Sequence, residues 1–180
     1  MIYREIIDFW YSESVSSQWF ASTPELDAEI ESRFESVWQL AVSGQLDNWR
    51  DEPEGLLALA IILDQFPLNM FRGQARAFSS EGQAIEVAKY AIDRELDTQL
   101  PKDRRTFLYM PLMHSESLAD QALAIEKFNT AGLQGNAQFA RHHYSIVERF
   151  GRFPHRNEIL GRESTEAELT YLASKEAFTG

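Results

Sequence analysis

The stretch that most constrains the fold of this chain is LLALAIIL, residues 56–63, in the middle of EPEGLLALAIILDQFP. A helix without a polar side is stable only where other elements cover it all round. No apolar run in the chain reaches about 18 residues, so we expect no membrane span. The sequence therefore predicts that this stretch forms the central helix of a globular domain.

Helical spacing recurs in most of the remaining chain. After TPELD, apolar residues recur at steps of three and four: Leu26, Ile30, Phe34, Val37 and Ala41. Ser80 with Gln83, and Thr165 with Glu168, have the spacing of capping boxes, which begin helices. We find no β-type alternation, linker or compositional break. We therefore predict a single all-α domain over residues 1–180, a compact array of about seven to nine helices.

Prolines are predicted to interrupt several of these helices. The segments DQFPLNMFRGQARAFSSEG and ERFGRFPHRNEILGRESTEAE each contain Phe-Pro, a following Asn, a Gly beside an Arg, and a Ser/Thr cap. Because proline disfavours helical geometry in the residue before it, each Phe-Pro is predicted to end a long helix. Pro111 has no amide hydrogen to donate, so a break is also expected near it. The shared order of features is typical of helix pairs that stack into an array.

The composition excludes several classes of function. The chain has no cysteine, so disulfides, thiol chemistry and thiolate zinc sites are ruled out. It carries 17 Lys and Arg against 28 Asp and Glu, and its net charge of −11 disfavours binding to nucleic acid or anionic membranes. The N-terminal MIYREIIDFWYSES has charged residues among its apolar ones, which indicates a first helix and not a signal peptide. We therefore expect a soluble cytoplasmic protein.

Positive charge is concentrated late in this acidic chain. Residues 141–162, here called the arginine segment, hold five arginines against two glutamates, no lysine, and three of the four histidines. Arginine binds carboxylates through two parallel hydrogen bonds, a geometry that lysine does not reproduce. The arginine segment is therefore predicted to pair with specific carboxylates rather than to supply a general positive field.

Three polar residues lie on helix faces that are otherwise apolar: Asp64, His114 and His143. Asp64 comes one turn after Ile61, and His143 lies between Phe139 and Ile146 on a face that we expect to be buried. Burying such groups without a partner is costly, so each of them needs one. The arginines of the arginine segment are the predicted partners, which requires that segment to fold back onto the central helix.

The first functional hypothesis is that the protein binds a small anionic ligand, or a peptide or protein partner, through an Arg/His/Asn-lined pocket. The concentration of arginines beside the two Phe-Pro turns favours it, because guanidinium groups bind carboxylates and phosphates well. The predicted ligand-binding residues combine cations, imidazoles and orienting amides: Asn69, Arg72, His143, Arg152, His155, Arg156 and Asn157.

The second hypothesis is a small hydrolase-like enzyme in which His114, Glu116 and Asp64 act in acid–base catalysis, with or without a metal. The H-x-E spacing places its two residues about 200° apart on a helix, so both could act at one site only at an irregular helix end. The chain has no HExxH, G-x-S-x-G or phosphate-loop motif. We predict no cofactor, and we assign no residue as a metal ligand.

The third hypothesis is a purely structural or interaction protein, in which the polar network only fixes the geometry of the helices. Trp19 and Phe20 lie in a weakly helical segment and are candidate contacts for a second subunit, as in a homodimer. The three hypotheses share one requirement. The arginine segment must meet Asp64 and the histidines in space.

Three segments carry a resemblance to a known family: LDQFPLNMFRGQARAF, LMHSESLADQ and RFGRFPHRNEILGRESTEAE. Together they resemble the signature segments of a bacterial family, domain of unknown function 924, and the opening DFWYSES…QWF is also similar to it. The resemblance covers nearly the whole chain. It implies an α-helical, tetratricopeptide-like superhelix, and it implies no established activity, substrate, cofactor or catalytic residue.

Overall fold

The computed structural model describes residues 2–178, which form helices, turns and loops without a β-strand. Its helices are α1 Ile2–Trp10, α2 Glu13–Ser16, α3 Pro24–Val42, α4 Pro53–Ala60, α5 Phe66–Met70, α6 Glu81–Asp93, α7 Lys102–His114, α8 Leu118–Thr130, α9 Gln134–Phe150 and α10 Glu166–Leu172. A π-helical segment, Ile61–Gln65, joins α4 to α5 without a break. With α4 and α5 taken as one, this part of the chain holds nine helices, and the predicted all-α class is confirmed.

The predicted central helix is confirmed. Every residue of 56–63 is at most 3% exposed. Helices α1, α6 and α7 pack against α4, and α3 packs against the π segment, so the helix is covered on all sides. Burying a leucine or isoleucine side chain contributes about 1.5–3 kcal/mol, so this one helix supplies a large part of the driving force for folding.

The C-terminal third continues the array outward from that core. Helices α7, α8 and α9 pack on one another in chain order. A smaller apolar cluster of Ile146, Val147, Phe153 and Tyr171 joins α9 to the segment that ends in α10. The tetratricopeptide-like arrangement of these helices stays a prediction. Within residues 2–178 no helix is both long and apolar enough to cross a membrane.

The predicted helix breaks at the first Phe-Pro and at Pro111 are wrong. Pro67 lies inside α5, and Pro111 lies inside α7, which ends only at His114. Pro67 cannot donate the hydrogen bond that the carbonyl of Leu63, four residues earlier, would otherwise accept. The Ser80 hydroxyl donates to that carbonyl instead, at 2.6 Å, so the helix continues through the proline without leaving a buried acceptor unsatisfied.

Of the two predicted capping boxes, one is confirmed and one is wrong, and the buried face of α9 is not entirely as expected. Gly151, with a φ of 73°, ends α9 two residues before the second Phe-Pro, and Thr165 caps α10 as predicted. Ser80 makes no capping hydrogen bond, because its hydroxyl is engaged by Leu63 and by the Trp38 indole. Phe139, expected on the buried face of α9, is 64% exposed.

The two aromatic residues considered as subunit contacts differ in their surroundings. Trp19 stacks on Trp10 with ring centroids 6.0 Å apart, and its indole donates to the Trp10 carbonyl at 2.9 Å. Phe20, in contrast, is 80% exposed. Trp19 therefore belongs to the core, and a homodimer contact at Phe20 stays a prediction.

Candidate functional site

The site is built around a pair formed by Asp64, in the π segment, and His114, the last residue of α7. The imidazole Nδ1 lies 2.8 Å from Oδ1 of Asp64 and 3.0 Å from Oδ2. Because an ionised carboxylate only accepts, Nδ1 carries the proton and donates it to Asp64. The two residues are 50 positions apart in the sequence, and the packing of α7 against the central helix brings them together.

The π segment explains how a carboxylate can face α7 from within the most buried helix. Its amides bond five residues back, as the Phe66 amide does to the Ile61 carbonyl. Such an insertion changes the direction of the side chains that follow it, and π segments are frequent at functional sites. Asp64 is 4% exposed, and its carboxylate also accepts a hydrogen bond from the side-chain amide of Gln65 at 2.5 Å. A buried, doubly satisfied carboxylate results.

The two nitrogens of the His114 imidazole have different surroundings, and Asp64 controls the charge of the ring. Burial lowers the pKa of His114, but the attraction and hydrogen bond of Asp64 outweigh burial and raise the pKa above its ordinary value. The His114 side chain is 18% exposed. No described residue forms a hydrogen bond with Nε2. The imidazole is therefore anchored through Nδ1, while Nε2 has no hydrogen-bond partner among the described residues.

Arg156 connects the arginine segment to this pair. One of its terminal nitrogens donates to Glu81 at 2.8 Å, and the other donates to the backbone carbonyl of His114 at 2.9 Å. The rings of Phe78 and Phe153 lie on the guanidinium, each 4.7 Å from its central carbon. The buried Nε of Arg156 has no hydrogen-bond partner among the described residues.

Glu81, in the first turn of α6, is the acid that the sequence analysis missed. It is paired with Arg156 and its side chain is only 19% exposed. Burial raises the pKa of Glu81, while the positive charges of Arg156 and His114 oppose that rise. The only sequence signal was its place after Ser80, which we read as a cap. Its role depends on a contact 75 residues away along the chain.

Glu116 lies in the loop between α7 and α8, at the irregular helix end that its H-x-E spacing required. Both of its oxygens accept from Arg162, at 2.7 and 2.9 Å, and the amide of Phe153 donates to it at 2.8 Å. Burial tends to raise the pKa of Glu116, but these donors lower it overall. Glu116 thus fastens the loop after α9 to the end of α7 and does not contact the His114 imidazole directly.

Two more histidines surround Phe153 beside this cluster. His143 is 5% exposed and donates from Nδ1 to the Phe139 carbonyl at 2.8 Å. Burial lowers the pKa of His143 to about 4, and burial together with the nearby Arg156 lowers that of His155 to about 4. The ring of Phe178 covers both imidazoles, with centroids 4.5 and 5.0 Å away. Both side chains are therefore neutral near pH 7.

The remaining predicted ligand residues lie outside this cluster or beside it. Arg152 binds Glu168 through two hydrogen bonds of 2.7 and 2.9 Å, and this pairing lowers the pKa of Glu168 to about 2. The Asn157 amide donates to Ser164 and accepts from Arg162, so it braces the same loop. These contacts stabilise the turn after α9.

Asn69 and Arg72 form a separate group at the start of α3. Arg72 binds Asp27 through two hydrogen bonds of 2.6 and 3.0 Å, and the Asn69 amide donates to the same carboxylate at 2.7 Å. Neither residue contacts Arg152 or Arg156. The predicted ligand-binding residues therefore do not form one site. Asn69 and Arg72 lie beside Asp27, and the others lie around the turn after α9.

A surface depression of about 760 Å³ adjoins the cluster. Its lining residues are Pro154, His155, Glu158, Arg162, Glu163, Ser164, Leu169 and Leu172. His155 and Arg162 connect it to the cluster, and its two acids favour a neutral or cationic occupant. Among residues 2–178 no three His, Asp or Glu side chains converge as metal ligands.

The sequence comparison places this chain. Residues 6–176 match the profile of the bacterial proteins of unknown function grouped as domain of unknown function 924. The chain belongs to this family. No curated protein matches it.

A solved structure supports the assignment. The chain is similar to a protein of unknown function from Agrobacterium tumefaciens, with 39% sequence identity and a TM-score of 0.89. The match covers 96% of this chain and 97% of the other. The two proteins therefore share one fold along almost their full length, and neither comparison names an activity.

Proposed function

We propose that the protein is a small hydrolase-like enzyme in which His114 transfers protons under the control of Asp64. The observation that carries this proposal is the Asp64–His114 pair, with a buried carboxylate on Nδ1, no described hydrogen-bond partner on Nε2, and an imidazole side chain that is 18% exposed. A carboxylate on Nδ1 fixes the tautomer and stabilises the imidazolium, which is how imidazole bases are oriented in many enzymes. The location of Asp64 in a π segment adds support.

The step we assign to His114 is activation of water. Nε2 accepts a proton from a water molecule while the water oxygen forms a bond to the acyl carbon of an ester or amide. The imidazolium then returns that proton to the leaving oxygen or nitrogen as the bond between it and the acyl carbon breaks. The Asp64 carboxylate compensates the positive charge of the imidazolium between the two steps.

Water is the assigned nucleophile because the adjacent hydroxyl is engaged elsewhere. Ser115 follows His114 directly, but its hydroxyl donates to Asp120 at 2.7 Å and is buried. A serine nucleophile would have to donate to the imidazole base instead. Glu116 is assigned a positioning role, since Arg162 and the Phe153 amide occupy its oxygens.

Binding of an anion by the predicted arginines receives less support. Arg72, Arg152 and Arg156 each already bind a carboxylate. In the cluster around Asp64, three carboxylates face two arginines and His114, so protonated His114 leaves no excess positive charge. A neutral substrate fits this balance better than an anion.

A panel of chromogenic esters and amides, with phosphate esters for contrast, tests the proposal. Removal of a general base lowers the rate by about 10²–10⁴-fold. We therefore expect His114→Gln to lower kcat/KM at least about 100-fold, and Asp64→Asn to lower it as well. His142→Gln is the matched control, because that histidine lies exposed on α9.

Circular dichroism of each variant separates loss of chemistry from loss of fold. A folded His114→Gln protein with wild-type activity would contradict the assignment. So would a wild-type protein that hydrolyses none of the panel above the buffer rate.

A further inference from the structure

A second surface depression lies between α9 and the end of α10. It has a volume of about 370 Å³, near the lower end of the range for small-molecule sites. Its lining residues are His142, Ser145, Ile146, Arg149, Phe150, Tyr171 and Glu176. None of them belongs to the cluster around Asp64 and His114, so the depression is a separate feature of the molecule.

Arg149 differs from the other arginines around the turn that follows α9. Arg152, Arg156 and Arg162 each bind a carboxylate at 2.7–2.8 Å. Arg149 forms no ion pair with any residue in 2–178. Arg149 is therefore the one of these four arginines that has no carboxylate partner among the described residues. Its charge is available to a ligand.

Aromatic contacts hold the Arg149 guanidinium in place. Its central carbon lies 4.7 Å from the centroid of Phe150 and 5.9 Å from that of Tyr171. A guanidinium packed over ring faces keeps its in-plane N–H groups free to donate. Ile146 and Tyr171, which are 3% and 6% exposed, form an apolar floor beside it. A cation thus lies next to a small apolar surface.

We propose that this depression binds an apolar carboxylate, with its carboxylate on Arg149 and its hydrocarbon part over Ile146 and Phe150. Two kinds of molecule carry a carboxylate next to an apolar group: a free aromatic or aliphatic acid, and the C-terminal residue of a peptide. The proposal is independent of the role of His114, because the two sites share no residue.

Glu176, at the rim of this depression, predicts a change in affinity opposite to that of Arg149. Glu176 lines the depression but does not pair with Arg149. Its charge repels an incoming carboxylate, so Glu176→Gln strengthens binding whereas Arg149→Gln weakens it. A merely hydrophobic site would respond to neither change in this way.

Titrations followed by amide NMR test the proposal with three probes. Benzoate represents a free acid, N-acetylphenylalanine represents a peptide end, and benzamide is the neutral control. We expect one or both acids to shift the amide signals of residues 145–150 and benzamide to bind much more weakly. A charge-assisted contact predicts about tenfold weaker binding in Arg149→Gln. The tighter of the two acids identifies the source.

Arg141→Gln is the matched control, because Arg141 is exposed on the same helix and also lacks an ion pair in the described chain. Its binding should equal that of the wild type. Binding of neither acid, equal binding of benzamide, or an unchanged affinity in Arg149→Gln would each overturn the proposal. Activity does not enter this test, so failure of the hydrolase proposal leaves its outcome intact.

Discussion

His143 shows how one buried imidazole makes stability depend on pH. Its ordinary pKa is 6.5 and burial lowers it to about 4 in the folded protein. Protonation therefore favours the unfolded chain between these two values. The contribution of neutral His143 is fully present above about pH 6.5 and is lost as the pH falls toward 4 and below.

We predict that His143→Gln reduces the acid sensitivity of the fold. A glutamine amide can still donate to the Phe139 carbonyl but does not titrate. From the size of the pKa shift, the wild type should lose up to about 3 kcal/mol more than the variant between pH 7 and pH 4. Denaturant unfolding at several pH values measures this difference, with His142→Gln as the exposed control. Parallel stability profiles for wild type and His143→Gln would contradict the prediction.

His114 acts on stability with the opposite sign. Because Asp64 raises the pKa of His114 above 6.5, protonated His114 stabilises the folded state. That contribution is fully present below about pH 6.5 and is lost as the pH rises through the folded-state pKa. Neutral His143 stabilises the fold above about pH 6.5 and protonated His114 stabilises it below the folded-state pKa. These two contributions together are therefore largest slightly above pH 6.5.

At the residue scale, the burial of Asp64 and His143 could be predicted, but their partners could not. Asp64, His114 and His143 were identified from the apolar spacing around them, and Asp64 and His143 are at most 5% exposed. We expected an arginine to pair with Asp64, but its partner is His114. Glu81, which pairs with Arg156, was not among the predicted residues. A spacing pattern reports which face of a helix is apolar. It does not report which side chain of another helix lies opposite.

At the scale of helices, two glycines that both lie in the first turn of a helix have different surroundings and can be compared. A Cβ on Gly55 of α4 would lie 2.1 Å from the Trp49 carbonyl oxygen, whereas one on Gly82 of α6 would meet nothing within 4 Å. The loop before the central helix therefore depends on close approach of two backbones at Gly55. Gly82 has no such constraint.

We predict opposite effects of alanine at these two positions. Gly55→Ala should destabilise the protein by at least about 2 kcal/mol, because the backbone must move to relieve the overlap. Gly82→Ala should be neutral or stabilise it by up to about 1 kcal/mol, since alanine favours the helix more than glycine does. Free energies of unfolding from denaturant titration give both values. A Gly55→Ala protein as stable as Gly82→Ala would show that the two backbones are not in close contact.

Helix location was predicted better than helix interruption. Periodicity and caps located the helices because they depend on residues a few positions apart. Pro67 and Pro111 do not end their helices, because a proline's effect depends on what else satisfies the freed carbonyl. For Pro67 that partner is Ser80, in a different element. Local sequence rules contain no information of this kind.

For the whole molecule, Arg156 links three distant parts of the chain. It joins the turn at residues 154–156 to Glu81 of α6 and to the end of α7. Arg156→Leu leaves the Glu81 carboxylate largely buried and unpaired, which should cost about 3 kcal/mol. The double variant Arg156→Leu/Glu81→Leu should lose less than the sum of the two single variants.

A double-mutant cycle measures this coupling directly. We expect a coupling energy of about 1–3 kcal/mol for Arg156 with Glu81. The exposed pair Arg33–Glu29 on α3, whose side chains are 47% and 51% exposed, is the control and should couple only weakly. Additive losses at Arg156 and Glu81 would mean that the arginine segment is held in place by apolar packing alone.

The sequence composition predicted that the arginine segment would fold back onto the polar residues of the apolar helices. An arginine-rich, lysine-free segment in an acidic chain, together with polar residues on apolar faces, required a common meeting place. The structure brings Arg156 and Arg162 to that place, while Arg152 and Arg72 pair elsewhere. The choice among equivalent arginines depends on loop geometry after α9, which the sequence does not specify.

The central claim is that Asp64 holds His114 as a proton-transfer group, and an NMR titration of the four histidine side chains tests it most directly. We predict that His114 titrates above its ordinary pKa of 6.5 and that Asp64→Asn lowers this pKa while the protein stays folded. A His114 pKa that is at or below 6.5 in the wild type, or unchanged in Asp64→Asn, would contradict the account.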